Sequence, residues 1–171
     1  MHLPPYEPFP ALNGAHVSLR QITTADIPDI IEISYYDAIQ AGSVEQAISM
    51  QEKINLDYVT GNSIHWGIVS NQTNRIAGTC GYYRGFKNGE GELGCVLLSQ
   101  YSGKGLMTHA MQLAIDFGFN TVGLTRIYAV TSTTNHKAIA LFSRLDFKQV
   151  AIVEDDVEFE LRSHAEILQN I

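Results

Sequence analysis

The sequence predicts an α+β domain, a central mixed sheet of about seven strands flanked by about four helices. Three observations carry that prediction. Strand-like runs at 64 to 70, 75 to 84 and 91 to 98 follow one another through short polar turns, which makes them antiparallel neighbours. A helix-spaced segment, Met107, Met111, Ala114, Ile115 and Phe119, then separates the run ending near 98 from the next at 126 to 131, leaving room for a parallel crossover. Finally, 171 residues with 45% hydrophobic content suit one domain that buries its own core without staples.

The elements follow in order. Residues 1 to 12 hold Pro4, Pro5, Pro8 and Pro10, and read as an extended arm outside the core. Val17, Leu19 and Ile22 mark a first strand. Thr23-Thr24-Ala25-Asp26 supplies a cap and an early acid for a helix whose apolar face is Ile27, Ile30, Ile31 and Ile33, with Pro28 early enough to be tolerated. A loop carrying Tyr35-Tyr36-Asp37 leads to a second helix, which starts after Ser43 with Gln46 completing a capping box and runs to Gly61.

The strands at 64 to 70 and 75 to 84 are joined by a polar turn at 71 to 74, and Lys87-Asn88-Gly89 reads as the hairpin leading to the strand at 91 to 98. A hairpin centred on Asn88-Gly89 pairs Cys95 with Tyr82 and Cys80 with Leu97. After the crossover helix and the strand at 126 to 131, a helix at about 135 to 145 begins at Asn135. Two last strands, 147 to 153 and 157 to 162, are split by Glu154-Asp155-Asp156. The division is an arm at 1 to 12, one domain at 13 to 163, and a C-terminal tail at 164 to 171.

Composition narrows the function. With 11 basic against 18 acidic residues the formal charge is -7, which argues against a direct nucleic-acid binder and mildly favours cationic partners. Cys80 and Cys95 fall in no CxxC pair, so no metal site is expected and both read as small buried apolar residues. The chain shows neither a transmembrane-length apolar run nor a secretory leader, and a cytoplasmic protein without membrane contact is the expectation.

The stretch Gln100-Tyr101-Ser102-Gly103-Lys104-Gly105-Leu106-Met107 carries the most chemistry. It follows an apolar run, Leu93 to Leu98, and opens a helix. Gly103 and Gly105 allow a sharp turn and close approach to a ligand, while the first helical amides have no carbonyl partner within the helix. Such amides, at the positive end of the helix dipole, bind an anion. A Walker lysine-serine pair and a G-x-G-x-x-G pattern are both absent, since Lys104 is followed by Gly105 and the third glycine position is Thr108.

With those residues placed, the chain resembles the GNAT N-acetyltransferase family, particularly its branch of ribosomal-protein N-terminal acetyltransferases. The similarity runs from Leu12-Asn13-Gly14 and Val17-Ser18-Leu19-Arg20, through Trp66 and Ile76-Ala77-Gly78, to Glu92-Leu93-Gly94, Gln100 to Gly105, Asn135 and Leu145-Asp146-Phe147. The specific part is the Gln-x-x-Gly-x-Gly signature between strand and helix. The resemblance implies a three-layer fold with a splayed cofactor cleft, and acetyl-coenzyme A as cosubstrate. Gln100 and Tyr101 then lead into the pyrophosphate turn, whose grip is the backbone of Ser102, Gly103, Lys104, Gly105, Leu106 and Met107. The pantetheine arm lies along Cys95, Val96 and Leu97, and Asn135 stands near it, although capping its own helix would equally explain that residue.

The resemblance also points to the chemistry. Glu92, on the strand leading into the turn, is the candidate base. Tyr35, Tyr36, Asp37 and Trp66 are candidate walls of an acceptor pocket, for which ordinary packing is the competing account. Many family members have a tyrosine where this chain has Phe142, beside the leaving sulfur, and the ribosomal branch often has a serine where it has Ala138. Both usual hydroxyl donors are therefore missing. Asp146 replaces the glycine of the usual Leu-Gly-Phe turn, and aspartate tolerates the left-handed backbone better than most residues.

The acceptor implied is a primary amine, foremost a protein or peptide N-terminus such as that of a ribosomal protein. An α-amino group of pKa about 8 lies within roughly 1.4 kcal/mol of its neutral form at pH 7, against roughly 4.6 for lysine, so a weak base suffices. A polyamine or aminoglycoside acetyltransferase, and a coenzyme A-binding sensor without catalysis, remain open alternatives. The assembly expected is a monomer or homodimer.

Overall fold

A computed structural model describes residues 1–163 of the chain; the expected tail at 164–171 lies outside the described residues. The strands are β1 (Leu12–Asn13), β2 (Val17–Gln21), β3 (Tyr35–Tyr36), β4 (Ile39–Gln40), β5 (Ile64–Ser70), β6 (Arg75–Tyr83), β7 (Glu90–Leu97), β8 (Arg126–Ser132), β9 (Lys148–Val153) and β10 (Asp156–Arg162). The helices are α1 (Ile27–Ile30, extended at both ends by 3-10 turns), α2 (Val44–Val59), α3 (Leu106–Phe117) and α4 (His136–Arg144). No helix among the described residues is long and apolar enough to cross a membrane.

The main sheet has eight strands in the order β1-β2-β5-β6-β7-β8-β10-β9, where about seven were expected. The addition is β1, a two-residue strand whose Leu12 pairs with Leu19. All neighbours are antiparallel except β7 and β8, which α3 joins as the parallel crossover. Side chains alternate across the sheet: Tyr82 faces α3, where its hydroxyl donates to Ala114 O at 2.9 Å, and Tyr83 faces the opposite side with α1 and α2. Phe142 of α4 packs on Phe159 of β10, on the α3 side. The result is three layers, with Trp66, Tyr82, Leu93, Met111 and Ile127 fully buried at the sheet–α3 interface.

Ser43 caps α2 by accepting from Gln46 N at 3.2 Å. Asp26, at the entry to α1, is gripped by both Arg20 guanidinium nitrogens at 2.8 Å. Asp146 adopts φ 63 just after α4, the left-handed end that the missing glycine demanded.

The register between β6 and β7 differs from expectation. Asn88 and Gly89 do form the tight turn, with φ of 55 and 78 and Glu90 N donating to Lys87 O at 2.9 Å. Yet Arg84 and Gly85 are also left-handed, and Gly85 N donates to Asn62 O at 2.8 Å, so the chain leaves the ladder before the turn. The register slips by two residues, pairing Cys80 with Cys95 and Tyr83 with Glu92. Both thiols are free, and burial pushes that of Cys95 up to about 12, which leaves it unsuited to nucleophilic work.

The N-terminal arm, expected to stand outside the core, bends at Pro4, Glu7 and Pro8 and packs on the domain. Tyr6 N donates to Tyr58 Oη at 2.7 Å, the same hydroxyl donates back to Tyr6 O at 2.9 Å, and Phe9 stacks at 4.9 Å on the Tyr58 ring.

Candidate active site

The sheet opens where β7 and β8 part. Their pairing consists of Glu90↔Arg126, Gly91↔Ile127 and Glu92↔Tyr128, although β7 continues to Leu97 and β8 to Ser132. Below the fork the strands are laced together. The Arg126 guanidinium reaches Glu90 on β7 at 2.9 Å and both Glu158 and Glu160 on β10. Above it, Cys95, Val96 and Leu97 keep their ladder with β6 and turn the other backbone edge to the cleft. An edge of unpaired amides and carbonyls suits an extended amide-containing ligand such as pantetheine.

The glycine turn stands at the top of that edge. Tyr101 N and Ser102 N are committed to a 3-10 turn, donating to Leu98 O at 3.0 Å and Ser99 O at 3.1 Å, so the free cradle starts at Gly103 rather than Ser102. Gly103 and Gly105 take φ of 76 and 75, and a Cβ at either would meet nothing within 4 Å. Conformation, not crowding, therefore requires glycine there. Gly105 caps α3 without any side-chain bond, and no acid stands in the first turn, so the amides of Leu106 and Met107 are open to an anion. The Lys104 ammonium lies 5.5 Å from the Tyr101 ring centroid, and both residues face a side cavity of about 390 Å³ that also includes His16. Gln100 is exposed beside this turn.

Across the fork, Asn135 is occupied as a cap: its Oδ1 accepts from Ala138 N at 3.2 Å and its Nδ2 donates to Thr131 Oγ1 at 3.0 Å. Phe142 is buried between Phe147 and Phe159, with ring centroids at 5.5 and 5.1 Å, and faces the core.

A cavity of about 250 Å³ opens on the α1–α2 side. Its floor is His65, Thr79, Tyr83, Glu92 and Val96 from β5, β6 and β7, and Met50 and Ile54 of α2 form one wall. Tyr35, Tyr36 and Asp37 form the other, because the expected loop is a small hairpin with Asp37 and Ala38 at φ 49 and 62 in its turn. Tyr36 Oη donates to Asp57 Oδ2 at 3.2 Å, which ties the hairpin to α2.

Glu92 belongs to both cavity and fork. Its carboxylate lies 3.2 Å from the exposed Arg84 guanidinium and 3.5 Å from Tyr128 Oη. The Arg84 side of this pair is solvated while the Glu92 side is largely buried, so the arginine is a loosely held partner for a carboxylate fixed on the sheet.

Trp66 is not a wall of this cavity. It is fully buried on the other face, its Nε1 donating to Pro10 O at 2.9 Å and its ring edge-on to Phe117 at 5.3 Å. In a strand, successive residues face opposite sides, so His65 takes the cavity position and Trp66 the core. His65, Thr79 and Tyr83 were missed in the sequence. With the expected register Glu92 would have faced Gly85; the slip brings Tyr83 opposite it.

Comparisons with known proteins agree with this architecture. A family model described as Acetyltransferase (GNAT) domain matches residues 16–148. The uncharacterized N-acetyltransferase YoaA of Bacillus subtilis (strain 168) is 29% identical over 153 residues, covering 85% of this chain and 86% of that protein. A candidate ribosomal-protein-serine acetyltransferase from Vibrio cholerae superposes with a TM-score of 0.80 at 18% identity, over 91% of this chain and 99% of its own. A dodecameric spermidine N-acetyltransferase from Vibrio cholerae does so with a TM-score of 0.73 at 15% identity, over 92% of this chain and 100% of its own.

Proposed function

Since the chain belongs to the GNAT acetyltransferase family, we propose that its fork and glycine turn hold acetyl-coenzyme A, and that the cavity beside Glu92 holds the primary amine that receives the acetyl group. The observation that carries this proposal is the position of Glu92. It is the last β7 residue paired with β8, and it also lines the acceptor cavity, so a carboxylate stands where the two ligands would meet.

The bound cosubstrate supplies an activated acetyl thioester. The free amides from Gly103 to Met107 hold its pyrophosphate, and the open edge of Cys95, Val96 and Leu97 aligns its amide-containing arm. Glu92 takes the proton that the amine sheds, and the cavity walls at Tyr35 and Tyr36 keep the amine in place. Neither Phe142 nor Ala138 offers a hydroxyl, so the sulfur leaves as a thiolate, tolerable for a thiol of pKa about 8.5. The N-terminus of α4 lends that charge some stabilisation.

The acceptor we favour is a protein or peptide N-terminal α-amino group, supported by its modest deprotonation cost and by the likeness to a ribosomal-protein enzyme. A polyamine is the second reading: Asp37 and Glu92 both line the cavity, and the chain is also similar in fold to a spermidine enzyme.

A thiol-release assay against N-terminal peptides, polyamines and aminoglycosides tests all of these. Glu92→Gln is expected to lower kcat by about 10²-fold or more while coenzyme A affinity is retained. Tight coenzyme A binding with no turnover on any amine would instead mark a binding module.

A further inference from the structure

Arg84 is the one positively charged residue lining the acceptor cavity among the described residues, and a ligand can reach it, because its side chain is 77% exposed. It stands just after β6 on a left-handed backbone, φ 61, where glycine or asparagine is the usual occupant. Backbone geometry does not ask for arginine there, so the reason for it lies in the side chain. Among the described residues its guanidinium meets only Glu92, through Nη1 alone, at 3.3 Å from Oε1 and 3.2 Å from Oε2. Both contacts are longer than the roughly 2.7–2.9 Å of a firm charge-assisted bond. The Nε and Nη2 donors bond to no atom of the described residues, and they remain for a ligand. Asp37 and Glu92 also line the cavity and draw any protonated amine, α-amino group and polyamine alike. The arginine is the feature that tells the two apart.

We propose that Arg84 sets acceptor specificity, binding the carbonyl next to an α-amino group while Glu92 holds the amine, and disfavouring polyamines; this deepens the acetyltransferase function above and rests on it. In an N-terminal residue one carbon separates the amino nitrogen from the carbonyl carbon, so the two polar groups need partners that are themselves adjacent. Glu92 and Arg84 are adjacent and opposite in charge. The Nε–Nη2 edge of a guanidinium presents two parallel donors, which suits a carbonyl or carboxylate oxygen. Spermidine carries no acceptor atom at that spacing. Its further nitrogens are ammonium groups, which the arginine repels.

The test compares Arg84→Met, Arg84→Asn and Arg84→Lys with the parent chain, using spermidine and a short peptide amide bearing an N-terminal serine. Methionine removes the charge at similar length, asparagine does so with a side chain that suits the left-handed backbone, and lysine keeps the charge without the fork. Dissociation constants are measured by calorimetry on protein saturated with coenzyme A, and KM values by thiol release. In the Met and Asn variants the constant for the peptide should rise by about tenfold, and that for spermidine should fall by about threefold or more. Arg84→Lys should leave the spermidine constant near the parent value and restore part of the peptide affinity. Affinity for coenzyme A should be unchanged in all three. A merely structural role would move both amines the same way. Dissociation constants that shift in one direction together, or that stay at the parent value for either amine, would overturn the assignment, as would a parent chain that binds neither. Opposite shifts in binding without turnover on any amine would uphold the role of Arg84 and count against the proposed function; turnover indifferent to Arg84 would do the reverse.

Discussion

His65 and Asp26 are held below their ordinary pKa values by opposite causes, and the consequences separate with pH. Burial alone pushes His65 down from 6.5 to about 4. The Arg20 hydrogen bonds, joined by the Thr23 amide and hydroxyl, hold Asp26 at about 2. In both cases the unfolded chain binds its proton first, so stability is intact above the unfolded value and declines as pH falls toward the folded one. His65 therefore acts between pH 6.5 and about 4, with a loss of about 3 kcal/mol across the window. Asp26 acts lower, between 3.8 and about 2. Urea midpoints measured from pH 7 to 4 should fall more steeply for the parent chain than for His65→Phe. Parallel curves would show that the imidazole is hydrated in the folded state. Asp26→Asn should flatten only the part below about pH 4. None of this was legible in the sequence, because a histidine beside a tryptophan in a strand reads the same whichever faces the core.

At the scale of elements, the fork depends on what closes its lower end. Arg126 is largely buried, and its guanidinium joins Glu90 of β7 to Glu158 and Glu160 of β10, each hydrogen bond strengthened by charge. Arg126→Met should leave those carboxylates repelling one another and cost about 2 kcal/mol, between the values for exposed and buried pairs. Because the lost lacing adjoins Glu92↔Tyr128, the fork should also lengthen downward, and faster amide exchange at Gly91 and Ile127 would report it. Exchange and stability both unchanged would mean that the backbone ladder alone sets the branch point. Local chemistry explains what could be read beforehand: Gly103, Gly105 and the caps at Ser43 and Asn135 act within a few residues of themselves. The left-handed Arg84–Gly85 step that ends the ladder was not readable because Asn62, more than twenty residues away, supplies the hydrogen-bond acceptor for Gly85 N. Nor was the small hairpin, since Asp37 and Ala38 occupy left-handed positions where glycine or asparagine is the usual signal.

For the whole molecule, the decisive contacts join the N-terminal arm to the domain. The prolines suggest an extended arm, but composition says nothing about what the arm's side chains meet. His2 N donates to Val122 O at 2.8 Å, Tyr6 packs edge-on to Phe117 at 5.4 Å, and Pro10 O receives the Trp66 indole. The arm thus covers the ends of α2 and α3 and satisfies the polar atom of the largest core side chain. That contact also explains why Trp66 belongs to the core rather than to the acceptor wall. Removing residues 2–10 should expose Phe117 and leave Trp66 Nε1 buried without its acceptor, at a combined cost of about 3 kcal/mol or more. The loss should extend to function unevenly. Tyr58, clasped by Tyr6, lies on the helix that also presents Met50 and Ile54 to the acceptor cavity, whereas the glycine turn sits at the far end of α3. Truncation should therefore raise KM for the amine more than KM for acetyl-coenzyme A. An unchanged denaturation midpoint would return the arm to the status of an appendage. Equal rises in both KM values would show that the arm supports the sheet as a whole rather than α2 in particular.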